Sequence, residues 1–454
     1  MALSGIEIYK HLPKTNCKKC GFPTCLAFAM KLAQKGIELS ACPDLSDAAK
    51  QALEAASRPP IRLVTIGNND KKLAVGNETV MFRHEKTFIN PPGLLLRVKD
   101  TESANDIAEK AKSVQDYAVE RVGFTLTMNG VAVDNASGDK ATFVKAVEIV
   151  SEHTDRPLVL MAKDPAIMEA ALEKVATSTP LIYAATKDNA AAMAQLALKY
   201  KCPLAVYDAG GLEELAGLAQ EVANAGVEDI VLDPGARDFR GSLINLTQIR
   251  KLALKKGFKD LGYPIITFPG EQAADRAEEV ALAAQHIAKY AGVIVLDTFD
   301  PAVVYPLVTL RLNIYTDPQK PIQMQPGLYE VAGNPKADSP LFVTTNFSLT
   351  YFSVVGEIDG SGVASWLVLP DAEGLSVLTA WAAGKFDGER IGKAIKASGV
   401  ADKISHKKVI IPGHVAVLRG EIEDELPGWE VIVGPKDAVD IPGFLKKIWT
   451  LTPA

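Results

Sequence analysis

The sequence predicts an α/β protein of three parts: a small cysteine-bearing N-terminal module, a central TIM (β/α)8 barrel and a C-terminal Rossmann-like α/β domain. Three observations predict it. Four of the five cysteines fall between Cys17 and Cys42. Short apolar runs then alternate with Ala-rich helical patterns over residues 93–318. Three prolines, Pro318, Pro321 and Pro326, precede a second, shorter alternation of strand-like and helix-like segments. A chain of 454 residues has room for about three domains.

Residues 1–58 are rich in Lys and Cys and too few for a large core, so a bound metal centre would supply the missing stabilisation. Residues 59–92 read as a connecting arm. Its β-like runs Ile61–Ile66 and Thr79–Phe82, with the turn signal Gly67-Asn68-Asn69, are compatible with a hairpin. The barrel is assigned to residues 93–318 on eight runs: Gly93–Val98, Gly123–Met128, Pro157–Ala162, Pro180–Ala185, Pro203–Asp208, Asp229–Asp233, Pro264–Phe268 and Val293–Asp297. They are apolar on both faces, as buried parallel strands are. Four begin with Pro, which a strand tolerates at its first residue. Helices fit Pro165–Ala176, Asn189–Tyr200 and Leu212–Ala225 between them. Eight such units make a TIM barrel; an open doubly wound sheet, with fewer strands, is the alternative. Residues 319–454 give strands at Leu341–Thr345, Ser365–Leu369, Val409–Ile411 (with a continuation toward Leu418) and Glu430–Val433. Helices fit Glu373–Ala383, Gly388–Ser398 and Ile441–Trp449, so a small Rossmann-like or flavodoxin-like sheet is expected.

The net charge of −6 and a pI near 5.7 argue against nucleic acid or an anionic membrane as partner, since both need a basic face. Met1–Lys14 lacks the apolar core of a signal peptide, and no uncharged apolar run approaches the roughly 18 residues of a membrane span. A cytoplasmic location follows, and there a cysteine cluster reads as a metal site before a disulfide framework.

The cluster is Cys17-x-x-Cys20-x4-Cys25, then sixteen residues, then Cys42-Pro43. Closely spaced thiolates wrap one face of an iron–sulfur cubane and a distant fourth closes it, the Cys-Pro pair matching the last ligand of ferredoxin-type runs. Gly21 and Pro23 supply a tight turn, and Lys14, Lys18 and Lys19 offset the thiolate charge. A structural zinc site also uses four cysteines, but its usual second Cys-x-x-Cys knuckle is missing. Cys202, at the start of an apolar strand, reads as a small buried hydrophobe.

The stretch Leu12-Pro13-Lys14-Thr15-Asn16-Cys17-Lys18-Lys19-Cys20-Gly21-Phe22-Pro23-Thr24-Cys25 closely resembles the N-terminus of the large (gamma) subunits of corrinoid iron–sulfur proteins of the acetyl-CoA (Wood–Ljungdahl) pathway. The corresponding acetyl-CoA decarbonylase/synthase subunits of methanogens are similar, and the order of modules matches along the whole chain. The resemblance implies that Cys17, Cys20, Cys25 and Cys42 ligate a [4Fe–4S] cluster. It implies a heterodimer with a small TIM-barrel subunit, a corrinoid (cobamide) between the two, and methyl-carrier activity. Its cobalt would accept a methyl group from methyltetrahydrofolate through a methyltransferase and deliver it to acetyl-CoA synthase/CO dehydrogenase. The cluster would return oxidised Co(II) to Co(I). Such a chain is part of a corrinoid-dependent system rather than a stand-alone enzyme.

Many cobamide proteins bind cobalt through the His of Asp-x-His-x-x-Gly. None of the six histidines here (His11, His84, His153, His286, His406, His414) sits in that motif. Losing an axial nitrogen eases reduction to Co(I), and the resemblance likewise implies a base-off corrinoid with no protein His ligand. Ligands of open α/β sheets bind beyond the carboxyl ends of the strands. That rule selects Thr345 and Asn346, then Pro370, Asp371, Ala372 and Glu373, then Gly413 and Gly434, with Pro340 as an apolar wall. Ordinary turns would use the same residue types, and His414 reads as a loop histidine. Barrel strand ends offer Asn129, Lys163, Asp208, Asp233 and Asp297, which form no complete acid–base pair and pterin clamp. A scaffold barrel is therefore preferred to a folate-dependent methyltransferase. A ferredoxin-like electron carrier without corrinoid is the other alternative. The arm at 59–92 and the linker at 319–328 are the expected hinges.

Overall fold

The computed structural model describes residues 5–33, 37, 39–46, 49–50, 53, 59–317 and 322–449. The chain forms two compact units, one of residues 1–118 and 127–315, the other of residues 119–126 and 316–454. The expected boundaries after Arg58 and at Pro318 lie outside the described residues, as does Pro321.

The first unit contains a barrel of eight parallel strands. In chain order these are β3 (Gly93–Lys99), β6 (Gly130–Asp134), β7 (Leu158–Met161), β8 (Leu181–Ala185), β9 (Leu204–Tyr207), β10 (Ile230–Asp233), β11 (Ile266–Thr267) and β12 (Val293–Leu296). Neighbours pair in sequence, β12 returns to β3, and a bridge from Leu232 to Ile265 closes the ring. Strands buried on both faces leave water no side to occupy, which is why the runs read as continuous apolar stretches. Loops entering the helices end in Ser103, Asp139, Asp164, Asp238 and Asp275, each accepting a backbone N–H of the first turn.

Two expectations in this unit need correction. The run Gly123–Met128 is not a barrel strand. It supplies β5 (Phe124–Thr127), which forms a hairpin with β4 (Ala118–Arg121) outside the barrel, and the second barrel strand is Gly130–Asp134. The reason is burial: Phe124 and Thr125 are exposed, whereas Gly130–Val133 is buried throughout. The arm is not a hinge either. Its strands β1 (Val64–Ile66) and β2 (Leu73–Val75) pair antiparallel, and Val64, Ile66, Leu73 and Val75 lie in the same core as Leu95, Ala132, Val231 and Val293. Four buried aliphatic side chains hold that hairpin in the barrel interior.

The second unit is a five-stranded sheet in the order β13-β15-β14-β16-β17, from β13 (Gly327–Val331), β14 (Leu341–Val343), β15 (Ser365–Leu369), β16 (Lys408–Ile411) and β17 (Glu430–Val433). The last four are parallel, in the flavodoxin-like arrangement whose chain reverses direction between β14 and β16; β13 runs antiparallel on the edge. The sequence reading missed β13, whose half-buried edge position gives no apolar period, and the helix Ser348–Ser361. The strand does not continue toward Leu418: Pro412 ends it and a 3-10 turn spans Gly413–Leu418. The helix expected from Glu373 starts at Val377, because Glu373 and Gly374 take left-handed φ values of 54° and 69°. The described part of the 319–328 linker, residues 322–328, is built in: Met324 is buried and its N–H bonds the Asn346 carbonyl at 2.8 Å. Val122 of the β4–β5 hairpin joins this unit's core with Phe342, Ile358, Leu367 and Ile410.

Two candidate cofactor sites

Cys17, Cys20, Cys25 and Cys42 all line one small pocket, with Leu12, Phe22 and Phe28 as its apolar wall. Local sequence puts them there. Gly21, at φ 82°, donates to the Lys18 carbonyl at 3.0 Å and turns Cys20 back toward Cys17. Asn16 accepts from the Cys25 N–H at 2.8 Å. Thr24 caps the helix Cys25–Ala33, accepting from Ala27 N–H at 3.0 Å, so the positive end of that helix faces the thiols. Lys14, Asn16 and Lys18 alternate in the left-handed region, a pattern that turns backbone N–H groups to one side. Burial pushes the Cys42 thiol up, and the Cys20, Cys25 and Cys17 sulfurs push it the same way against a hydrogen bond from the Asp44 backbone. Four soft donors in one pocket suit a cationic thiophilic centre that takes their charge. Among the described residues no three His, Cys, Asp or Glu side chains are placed to hold a single metal ion. Four thiols lining one pocket are the donor set of an iron–sulfur cluster. Cys202, by contrast, is buried with its thiol pushed up to about 12, the inert residue its position suggested.

The second site is a cleft of about 420 Å³ at the carboxyl ends of β14, β16 and β17, where the strand order reverses. Thr344, Ser353, Ser376, Leu378, His414 and Gly434 line it. The Thr344 hydroxyl is 1% exposed and has no hydrogen-bond partner. The helix Ser348–Ser361 begins at the cleft without a side-chain cap, leaving backbone N–H groups for a ligand's acceptors. Leu349 and Leu378, 67% and 47% exposed, form an apolar rim. A buried polar group without a partner beside an apolar rim fits an amide-fringed, largely apolar ring.

The nine residues expected here divide. Gly434 lines the cleft. Gly413 lies beside it, its position set by packing: a Cβ there would stand 2.6 Å from the Gly434 carbonyl. Thr345 is fully buried with its hydroxyl unpartnered, one residue behind the cleft wall. Asn346 is spent internally, donating to the Met324 carbonyl at 3.2 Å and accepting from Ala372 and Gly374 N–H. Pro370 and Ala372 are buried, while Asp371 accepts from Glu373 N–H and Glu373 pairs with Lys385. Pro340 sits at the opposite end of β14, its carbonyl accepting from Trp366 N–H. Sequence reasoning missed Thr344, Ser353, Ser376 and Leu378. His414, read as a loop residue, is an exposed part of the cleft.

The barrel's carboxyl end is filled by ion pairs. Arg97 grips Asp297 through two bonds of 2.6 Å and reaches Glu271 at 3.0 Å. Arg237 grips Asp233 at 2.9 and 2.8 Å and also bonds Glu271, while Tyr183 donates to Asp233 at 2.6 Å. Burial opposes the charge on Arg237, but Asp233 overcomes it and holds the guanidinium protonated. Burial also pushes the Asp134 carboxyl up, against the pull of Arg97. Of the strand-end residues read from sequence, Asp233 and Asp297 belong to this network. Asp208 instead pairs with Lys187, and Asn129 bonds Leu94 N–H and Arg311; Lys163 contributes its carbonyl to Asn189.

Among the described residues no helix is long and apolar enough to cross a membrane. The family model for the CO dehydrogenase/acetyl-CoA synthase delta subunit matches residues 63–445, and an Fe-S cluster family model matches residues 12–43, the segment of the four-thiol pocket. A corrinoid/iron-sulfur protein large subunit of Moorella thermoacetica is 46% identical, over 98% of this chain and 99% of that one. Acetyl-CoA decarbonylase/synthase complex gamma subunits of Methanopyrus kandleri and Methanothermobacter thermautotrophicus are 38% and 37% identical, each over at least 98% of both chains. With two folded sites of this kind and full-length likeness, the chain belongs to the family of corrinoid/iron–sulfur protein large subunits and acetyl-CoA decarbonylase/synthase gamma subunits.

Proposed function

We propose that this protein is a methyl-group carrier of the acetyl-CoA pathway, with a [4Fe–4S] cluster on Cys17, Cys20, Cys25 and Cys42 and a base-off corrinoid seated on the cleft of the second unit. One observation carries the reading: a single chain holds both a four-thiol pocket and a strand-end cleft with an unpartnered buried hydroxyl. When bound, the corrinoid supplies a cobalt that takes and gives a methyl group, and the cluster supplies the electron that keeps it active. The protein's own residues hold and shield. Thr344 and the N-terminus of the helix Ser348–Ser361 donate to acceptors on the ring's edge, and Leu349 and Leu378 keep water from its face. The lysines near the thiols offset cluster charge. Gly434 keeps the cleft floor low, and Thr345 and Gly413 pack directly behind its wall.

The partners under this reading are a small TIM-barrel subunit, a methyltetrahydrofolate:corrinoid methyltransferase and acetyl-CoA synthase/CO dehydrogenase, in the cytoplasm. The paired Arg97 and Arg237 favour a scaffold role for this chain's barrel over folate catalysis, since both cations are already satisfied by carboxylates. The test is Ser353→Trp, which places a large ring in the cleft from an exposed helix position. Cobalt content of the purified heterodimer should fall at least roughly tenfold while iron content stays unchanged. Full cobalt occupancy in this variant would remove the cleft from the reading.

A further inference from the structure

The thiol pocket has an asymmetric surface. Cys25 and Cys42 are buried, whereas Cys17 is exposed and Cys20 half-buried, so solvent reaches the pocket from the turn 14–21. That turn is basic. Lys14, Lys18 and Lys19 stand on it, Lys10 lies on the preceding helix, Lys31 on the following one, and all five are exposed. Lys19 is paired with Asp44 at 2.8 Å. Among the described residues no carboxylate pairs with Lys10, Lys14, Lys18 or Lys31, and Lys14 instead lies over the Tyr9 ring. The first 46 residues hold six Lys and three carboxylates, while the rest of the chain carries nine more carboxylates than Lys and Arg. A basic patch at the accessible edge of a redox site, on an otherwise acidic molecule, steers an oppositely charged partner to that edge. Leu26, exposed one residue beyond Cys25, offers an apolar contact beside it.

Resting on the cluster assignment above, we propose that the surface formed by Lys10, Lys14 and Lys18 around Cys17 is the docking site for an acidic one-electron donor protein. In the step it serves, one electron leaves the donor's reduced centre and enters the cluster; no bond is made or broken and no proton moves. A protein donor is favoured over nucleic acid or anionic lipid because the charge surrounds the thiol edge.

The experiment uses the anaerobically purified holo-heterodimer and a small acidic [4Fe–4S] ferredoxin as probe. Binding of the oxidised probe is followed by calorimetry, and cluster bleaching by the reduced probe in stopped flow. Between low and high salt, affinity and rate should both fall roughly tenfold or more. Lys14→Glu/Lys18→Glu should reproduce the loss of affinity at low salt, read by calorimetry with the oxidised probe, a measurement that does not depend on the potential of the cluster. Lys10→Glu, away from the cysteine loop, should give a smaller loss in the same direction. Unchanged probe affinity in both variants, or tighter binding to anionic vesicles or single-stranded DNA than to the probe, would overturn the proposal. A wild type without iron and sulfide would instead defeat the cluster assignment itself.

Discussion

Asn346 illustrates how a residue can be well chosen from sequence and still do something else. It lies just beyond β14, where ligands of such sheets bind, but its amide bonds three backbone groups instead, on Met324, Ala372 and Gly374. Asn346→Ala leaves those groups unpaired in a buried place, so unfolding in urea should show a loss of about 2–4 kcal/mol. The cleft's own polar wall, Thr344, was hidden because β14 ends at Val343, two residues before the end read from the sequence. That Cys17, Cys20, Cys25 and Cys42 gather in one pocket was legible from their spacing. His286 was not legible. It is 1% exposed, neither ring nitrogen has a partner, and burial, with Arg237 adding to it, pushes its pKa from 6.5 down to about 4. The unfolded chain therefore takes up a proton that the folded chain refuses. The stability held above pH 6.5 is lost as pH falls toward 4, by up to about 3 kcal/mol. Urea midpoints at pH 7 and 5 should differ less in His286→Leu than in the wild type; an equal difference would count against this account of His286.

At the scale of elements, burial decided what could be read. Barrel strands buried on both faces announce themselves as unbroken apolar runs. The β4–β5 hairpin gives a similar run, with its exposed Phe124 and Thr125 indistinguishable by composition from core residues. The edge strand β13 carries no period, and the arm 59–92 looked like a linker because its strands are only three residues long. Yet Ile66 of β1 is fully buried in the barrel core. Ile66→Ala should cost about 2–4 kcal/mol in an unfolding titration, a cavity-forming loss; under about 0.5 kcal/mol would restore the arm to the status of a linker.

On the scale of the whole molecule, the chain passes between its two units three times, because residues 119–126 belong with the C-terminal unit. The sequence reading drew its segments as consecutive stretches of chain, since no local signal says that residues 119–126 join the C-terminal unit. Proteolytic cleavage between Tyr315 and Ile322 should therefore leave the C-terminal fragment associated with the rest, held by Val122 in its core. Val122→Asp should release it on a sizing column, and release without that substitution would contradict the assignment of the hairpin.

The central claim, one chain carrying both a cluster and a corrinoid, is tested most directly by an anaerobic visible spectrum of the purified heterodimer before and after a strong reductant, with metal analysis of the same sample. The account predicts about four irons per chain and a corrinoid spectrum that sharpens to the Co(I) form over a broad iron–sulfur background. It also predicts no nitrogen splitting in the Co(II) electron paramagnetic resonance signal, with His414→Ala identical to wild type. Iron and sulfide without cobalt, even after a cobamide is supplied, would contradict it and leave an electron carrier.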